Sequence, residues 1–229
     1  MKMRSLAMMI CAGLLSACSG TAPGGVALGG GPLDSGVSRI AQRLFSGGQP
    51  TAASVPFQAL LATSAPAIVV SVENREAATG FLRQSARSQG STTIETWISP
   101  DNVALYLENG FVVGTRGLGL DLMAADISQT AALVLARRDG QVQRFMSFLD
   151  GNDQVAVRSY ICDIESRGGR EVNLGSGMVA TELVQERCTN PDQSFQNLYW
   201  IETRTGQIAQ SRQWAGDFSG PLAIRRAQR

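Results

Sequence analysis

From Ala67 onward the apolar residues fall at every second position, in short runs broken by turn residues. A period of two puts alternate side chains on opposite faces of an extended chain, and a helix cannot use it. Ile68-Val69-Val70-Ser71-Val72 and Thr92 to Ile98 read as strands rich in β-branched and aromatic residues. Val103, Leu105 and Leu107 alternate with Ala104, Tyr106 and Glu108; Asn109-Gly110 then turns the chain and Phe111 to Arg116 returns. Asn-Gly between alternating runs is the strongest short hairpin signal, because both residues tolerate positive φ.

The same pattern continues. Ala132 to Arg138, Asp139-Gly140 and Gln141 to Leu149 read as a hairpin, and Asp150-Gly151-Asn152-Asp153 turns into a strand from Gln154 to Ile164. Val179 to Cys188 follows. Gln196 to Thr203, the Thr205-Gly206 turn and Gln207 to Trp214 make another hairpin, and Pro221 to Arg226 a last short strand. Residues 77–86 fit a strand or a helix, with the turn after them at Arg87-Ser88-Gln89-Gly90 favouring a hairpin. About ten or more strands at a spacing of roughly 8–12 residues predict an all-β fold. The expected architecture is a mainly antiparallel meander closing as a sandwich or open barrel, with one or two short helices. The Trp97 to Val103 segment is echoed by Trp200 to Ile208, as two similar meander halves or as converging hairpin chemistry.

The start of the chain reads as an address. Lys2 and Arg4 precede an apolar run from Leu6 to Leu15, too short to span a bilayer in a mature protein. Leu15-Ser16-Ala17-Cys18 then resembles a bacterial lipobox, in which small residues admit the peptidase and the cysteine thiol takes up acyl chains. This predicts a signal peptide over 1–17, lipidation of Cys18 and a tether over 18–36, whose seven glycines after Cys18 favour a flexible coil. Each buried methylene contributes about 0.8 kcal/mol, so several acyl chains anchor stably. Ser19 after the cysteine favours the outer membrane. Val37, Ile40, Ala41, Leu44 and Phe45 share one helical face before Gly47-Gly48, and residues 37–229 are expected to form one β-rich domain.

Composition narrows the function. The chain is 44% hydrophobic and 17% charged, which suits a globular domain. Its net charge of +1 argues against nucleic-acid binding. There is no histidine, which removes Ser-His-Asp and Cys-His catalysis and all imidazole metal sites. Lys2 is the only lysine, so a Schiff base in the mature chain is excluded if the start is cleaved. No cofactor and no metal site is expected.

Cys11 also leaves, so Cys162 and Cys188 remain as a pair in an oxidising compartment. Antiparallel partners have a constant index sum. A direct pairing of the two centres the turn on Gly175, inside Asn173-Leu174-Gly175-Ser176-Gly177. A disulfide closing about 27 residues stabilises by about 3.5 kcal/mol in the chain-entropy model. Gly168-Gly169 can form a bulge that shifts the register, and two reduced core thiols are the other reading.

Arg116 to Asp126 is the most unusual stretch. Arg116, Asp121 and Asp126 beside Trp97 could grip a glycan, with carboxylates on hydroxyls, guanidinium on an anion and indole on a ring face. The structural alternative makes Gly117 and Gly119 a corner and has Asp121 cap a short helix running to Asp126. Nothing in the spacing shows the two carboxylates to converge as a glycosidase requires. Arg137, Arg138, Arg144 and Arg158 form either part of a basic stripe or a solvated sheet face.

Thr96-Trp97-Ile98-Ser99-Pro100-Asp101 and the Thr115 to Asp126 block resemble the YjbF/GfcB family of outer-membrane lipoproteins, associated with exopolysaccharide and group 4 capsule loci. Tyr199-Trp200-Ile201-Glu202, Thr205-Gly206-Gln207 and Ser211-Arg212-Gln213-Trp214 are similar to it as well. The resemblance covers roughly residues 60–226 and the lipobox, and implies a mostly β fold. It also implies a non-enzymatic accessory or adaptor role in secreting surface polysaccharide, beside an outer-membrane β-barrel protein and the polysaccharide export machinery. It supplies no catalytic residue. A periplasmic carrier of glycan or lipid is the alternative, and a polysaccharide hydrolase a further one.

Overall fold

The computed structural model describes residues 65–227 apart from 76, 153 and 176, together with Leu60. The expected signal peptide, Cys18, the glycine tether and the segment from Val37 to Phe45 lie outside the described residues. Twelve strands form one sheet: β1 (Ala67–Val72), β2 (Ala77–Gln89), β3 (Thr92–Ile98), β4 (Ala104–Glu108), β5 (Phe111–Arg116), β6 (Leu122–Asp126), β7 (Gly140–Leu149), β8 (Val155–Asn173), β9 (Met178–Thr189), β10 (Ser194–Glu202), β11 (Ile208–Trp214) and β12 (Pro221–Ala227). A helix, α1 (Ser128–Leu135), joins β6 to β7.

The sheet order is β5-β4-β3-β2-β1-β12-β11-β10-β9-β8-β7-β6. All pairings are antiparallel, and only β1 with β12 joins strands that are not consecutive in the chain. The expected meander therefore curls almost into a barrel, with β5 and β6 meeting at a seam. At that seam a Cβ added to Gly114 would lie 3.5 Å from the carbonyl oxygen of Leu122. Inward-facing residues alternate along the strands and form one core, including Ile68, Trp97, Leu105, Phe111, Met146, Tyr160, Tyr199 and Leu222.

The β5 edge has a substitute for a neighbouring strand. The Val112 N–H donates to Gln213 Oε1 at 2.9 Å, and Gln213 Nε2 donates to the Gly110 carbonyl at 2.9 Å. A side-chain amide of β11 thus satisfies two buried backbone groups, one in β5 and one in the turn before it, from across the barrel. The Asn109-Gly110 turn that makes this approach has positive φ at both residues, 49° and 90°.

Cys162 and Cys188 stand opposite each other on β8 and β9 and are bonded. The pairing keeps an index sum of 350 down to Ser166↔Val184, then moves to 351 at Gly169↔Glu182. The glycine pair makes the anticipated bulge, with Gly168 at φ 75°. Beyond it the hairpin arm folds over the outside of the sheet, where Val172 and Leu174 pack with Trp200 and Ala209 in a second apolar cluster. Arg225 of β12 reaches this arm at the Asn173 carbonyl, 3.4 Å away.

Two segments differ from expectation. Ala132 to Arg138 is not a strand; its first half belongs to α1, and the chain reverses at Arg137, φ 55°. A short apolar run carries no period of its own, and here Thr130 and Val134, four residues apart, are the buried pair. Asp121 does not cap a helix running to Asp126, because Leu122–Asp126 is β6, paired with β7. The two Trp-containing hairpins are not equivalent either, since Trp97 faces the barrel core and Trp200 the outer cluster.

Candidate functional site

The barrel interior is filled. On β7, Arg144 points inward and is 1% exposed; Glu186 of β9 meets it fully buried. Arg144 Nη1 donates to both Glu186 oxygens, at 3.1 and 2.9 Å. Asn197 Nδ2 at 2.7 Å, the Tyr199 hydroxyl at 2.8 Å and the Thr130 hydroxyl at 3.0 Å donate to the same carboxylate. Burial pushes the Glu186 carboxyl up, but the Arg144 charge and these donors outweigh it and hold it below the ordinary range. The same burial, with the Glu186 charge beside it, pushes the Tyr199 phenol well above its usual value. A buried charge that is paired and saturated with donors can stay ionised, so this cluster knits α1, β7, β9 and β10 together. It lies beside the Cys162–Cys188 bond.

One end of the barrel opens into a pocket of about 140 Å³. It is lined by the end of β7 (Phe148, Leu149), the following turn (Asp150, Gly151), Ala156 and Arg158 of β8, Leu120, and Asp217-Phe218 from the loop before β12. Arg158 Nη1 donates to Asp217 Oδ2 and to Gln193 Oε1, each at 2.7 Å. Its guanidinium lies 5.3 Å from the centre of the Phe148 ring. Phe218 and Leu120 stand exposed at the rim. Beneath them Trp214 stacks on Phe195 at 4.4 Å and meets Phe148 edge-on at 5.5 Å.

The residues singled out from sequence are not gathered into one site. Trp97 is 2% exposed inside the core and has no face free for a sugar ring. Trp200 and Trp214 are buried as well. Asp121 is committed to the loop: it accepts from the Thr115 hydroxyl at 2.8 Å and from the Gly117 and Leu118 N–H groups at 2.8 and 3.1 Å. Gly117 and Gly119, at φ 88° and 119°, do form the anticipated corner. Arg116 is exposed at the end of β5. Asp126 accepts from the Ser128 N–H and hydroxyl, a turn that sets the entry to α1 and holds its carboxyl below the ordinary value. Asp121 and Asp126 flank β6 at opposite ends, roughly 15 Å apart at about 3.3 Å per residue. Paired glycosidase carboxylates stand only about 5–9.5 Å apart.

Nor do the arginines form a stripe. Arg144 is in the core, Arg158 is at the pocket, Arg137 lies 3.7 Å from Glu182 beyond α1, and Arg138 is exposed in the connection that follows. The pocket itself is not legible in the sequence, because its residues come from three distant stretches: Leu120, the β7–β8 hairpin and Asp217-Phe218. The one local hint is Asp217-Phe218 held between Gly216 and Gly220, both at positive φ.

Among the described residues no helix is long and apolar enough to cross a membrane. The family model described as group 4 capsule polysaccharide lipoprotein GfcB, YjbF matches residues 39–226. The lipoprotein GfcB of Escherichia coli (strain K12), described as uncharacterized, is 30% identical over 125 residues, 52% of this chain. That match spans 58% of the relative's own length. The crystal structure of the hypothetical lipoprotein YmcC from Escherichia coli (K12) superposes with a TM-score of 0.64 at 20% identity. It covers 80% of this chain and 98% of that one, and shows the same fold. With four-fifths of its length under the family model, this chain belongs to the YjbF family of group 4 capsule polysaccharide lipoproteins.

Proposed function

We propose that the protein is a non-enzymatic, lipid-anchored accessory of the outer membrane that serves as an adaptor in exopolysaccharide or capsule secretion. The observation that carries this reading is the filled barrel. With Arg144, Glu186, Tyr199 and Trp97 packed across its interior, the barrel of the described residues is occupied by side chains rather than shaped as a polymer channel, which directs its work to its surface. The family description supplies the capsule setting. In this reading lipidation at Cys18 supplies the anchor, and the eighteen residues after it are long enough that a flexible coil of that length would span about 20–25 Å. An outer-membrane β-barrel protein and the export machinery are the partners this reading calls for. The carrier alternative is favoured only in its glycan form, since the described pocket suits a ring better than an acyl chain.

Deletion of the gene should lower surface polysaccharide while intracellular precursor synthesis continues. Complementation with Cys18→Ser should restore little, with the protein released from membranes. Asp126→Asn should restore most of the export. Unchanged surface polysaccharide in the deletion strain, or cleavage of glycan by the purified protein, would overturn the adaptor reading.

A further inference from the structure

We propose that the pocket between Phe218, Leu120 and the Arg158–Asp217 pair is a subsite for one neutral sugar ring of a glycan. This rests on the reading above for its biological setting and names what the surface holds.

The size of the pocket comes first. A volume of about 140 Å³ takes a single ring-sized group. An acyl chain needs an elongated apolar trough, and here one wall is an ion pair. The apolar wall is Phe218, 55% exposed, and Leu120, 40% exposed. A pyranose offers an apolar C–H face that rests on such a wall, and the aromatic ring attracts it further.

The polar part of the lining, Arg158, Asp217 and Asp150, matches the rim of the sugar. Hydroxyls both donate and accept, so they are best met by donors and acceptors side by side. Arg158 is fixed by Asp217, by Gln193 and by the Phe148 ring beneath it, and Gln193 Nε2 lies 3.5 Å from Asp217 Oδ1. Guanidinium and carboxylate are thus oriented before any ligand arrives, braced by the Gln193 amide from outside the lining, which lowers the entropic cost of binding. Asp150 adds a second carboxylate, Oδ1 of which accepts the Asn152 and Gln154 N–H groups. Asp150 and Asp217 balance the guanidinium of Arg158 and that of Arg75, which lies 5.8 Å from the centre of the Phe218 ring, so the site has no net charge to draw an anionic sugar.

Close backbone approaches at two glycines help to position both rings. A Cβ on Gly119 would lie 2.2 Å from Phe218 Cε1, and one on Gly216 would lie 3.2 Å from Phe148 Cε1. The loops approach the aromatic edges closely because these positions are glycine. The wall therefore has a fixed shape, with the Arg75 guanidinium 5.8 Å from the centre of the Phe218 ring and more than half of Phe218 still exposed.

The test uses the full mature chain carrying Cys18→Ser. Saturation-transfer NMR is run with the methyl glycosides of glucose, galactose, mannose and N-acetylglucosamine, with glucuronate and dodecanoate as comparators. At least one neutral glycoside should receive saturation on its ring protons, with affinity on the order of millimolar. Two variants challenge the site. Phe218→Ala removes the platform. Gly151→Leu adds bulk at a lining position, and an added Cβ there meets nothing within 4 Å, so the fold has no reason to change. Each should weaken binding about ten-fold or more, with the Gly151→Leu melting temperature unchanged. No transfer from any of the four glycosides, undiminished binding in Gly151→Leu, preference for glucuronate, or displacement by dodecanoate would overturn the proposal. A deletion strain that still loses surface polysaccharide after any of those results would leave the adaptor reading standing and remove only the sugar subsite.

Discussion

The Thr115 hydroxyl donates to the Asp121 carboxylate at 2.8 Å and accepts from the Leu122 N–H at 3.0 Å, so two side-chain bonds link β5 to the start of β6 where the sheet order ends. A residue with the look of a catalytic acid is thereby spent on closing the barrel. Asp121→Ala leaves the Thr115 hydroxyl and the Gly117 and Leu118 N–H groups without their acceptor. The expected loss is about 1–3 kcal/mol in urea denaturation. Asp126→Asn, at the far end of β6 and exposed, should cost less than half as much. Equal losses would show that Asp121 has no special part in the seam.

Gln213 makes the complementary closure inside the barrel. Gln213→Leu keeps the bulk but strands the Val112 N–H and the Gly110 carbonyl. Two buried backbone groups without partners should cost about 2–5 kcal/mol. Hydrogen exchange at the Val112 amide should rise beyond what the global loss of stability explains. An unchanged exchange rate would refute the account.

The Arg144–Glu186 pair predicts a marked asymmetry between single and double substitutions. Arg144→Met or Glu186→Leu alone leaves a charge buried in the core, at a cost of about 3–5 kcal/mol. The double variant removes both charges and should be more stable than either single one. A double-mutant cycle by chemical denaturation measures the difference, and additive losses would count against the pairing.

Acid should weaken the same cluster. The Glu186 carboxyl is held below its ordinary value of 4.5 in the folded chain. A depressed carboxylate adds stability above its unfolded-state value, and that stability is lost as pH falls through the folded one. Stability should therefore be level near neutrality and decline from about pH 4.5 downward. In the Arg144→Met, Glu186→Leu double variant the decline should be shallower. A decline of the same steepness would place the acid sensitivity elsewhere.

Reduction of Cys162–Cys188 should cost about 3.5 kcal/mol, since the bond closes a loop with a sequence separation of 26. Peptide mapping without reductant should recover the two cysteines linked. Cys162→Ser with Cys188→Ser should lower the midpoint of denaturation without changing the strand content seen by circular dichroism. A native-like midpoint would mean that the bond adds little to the packing around it.

The sequence determined the strands. A period of two, broken by Asn109-Gly110, Asp150-Gly151 and Thr205-Gly206, placed nearly all of them, because turn chemistry and alternation are local. It also set the Cys162–Cys188 register and its shift at Gly168-Gly169, since antiparallel pairing is arithmetic once the turn is known. The helix at Ser128–Leu135 was beyond it, because Ala131 to Leu135 is apolar enough for either structure and only packing against β7 and β8 chooses. Which polar residues turn inward was equally hidden. Arg144 and Glu186 look like surface charges in the chain, and only closure of the barrel brings them within 2.9 Å and removes the water around them. The pocket belongs wholly to tertiary structure, since Leu120, Phe148, Arg158 and Phe218 have no spacing in common and meet only because a curled meander brings its strand ends to one rim.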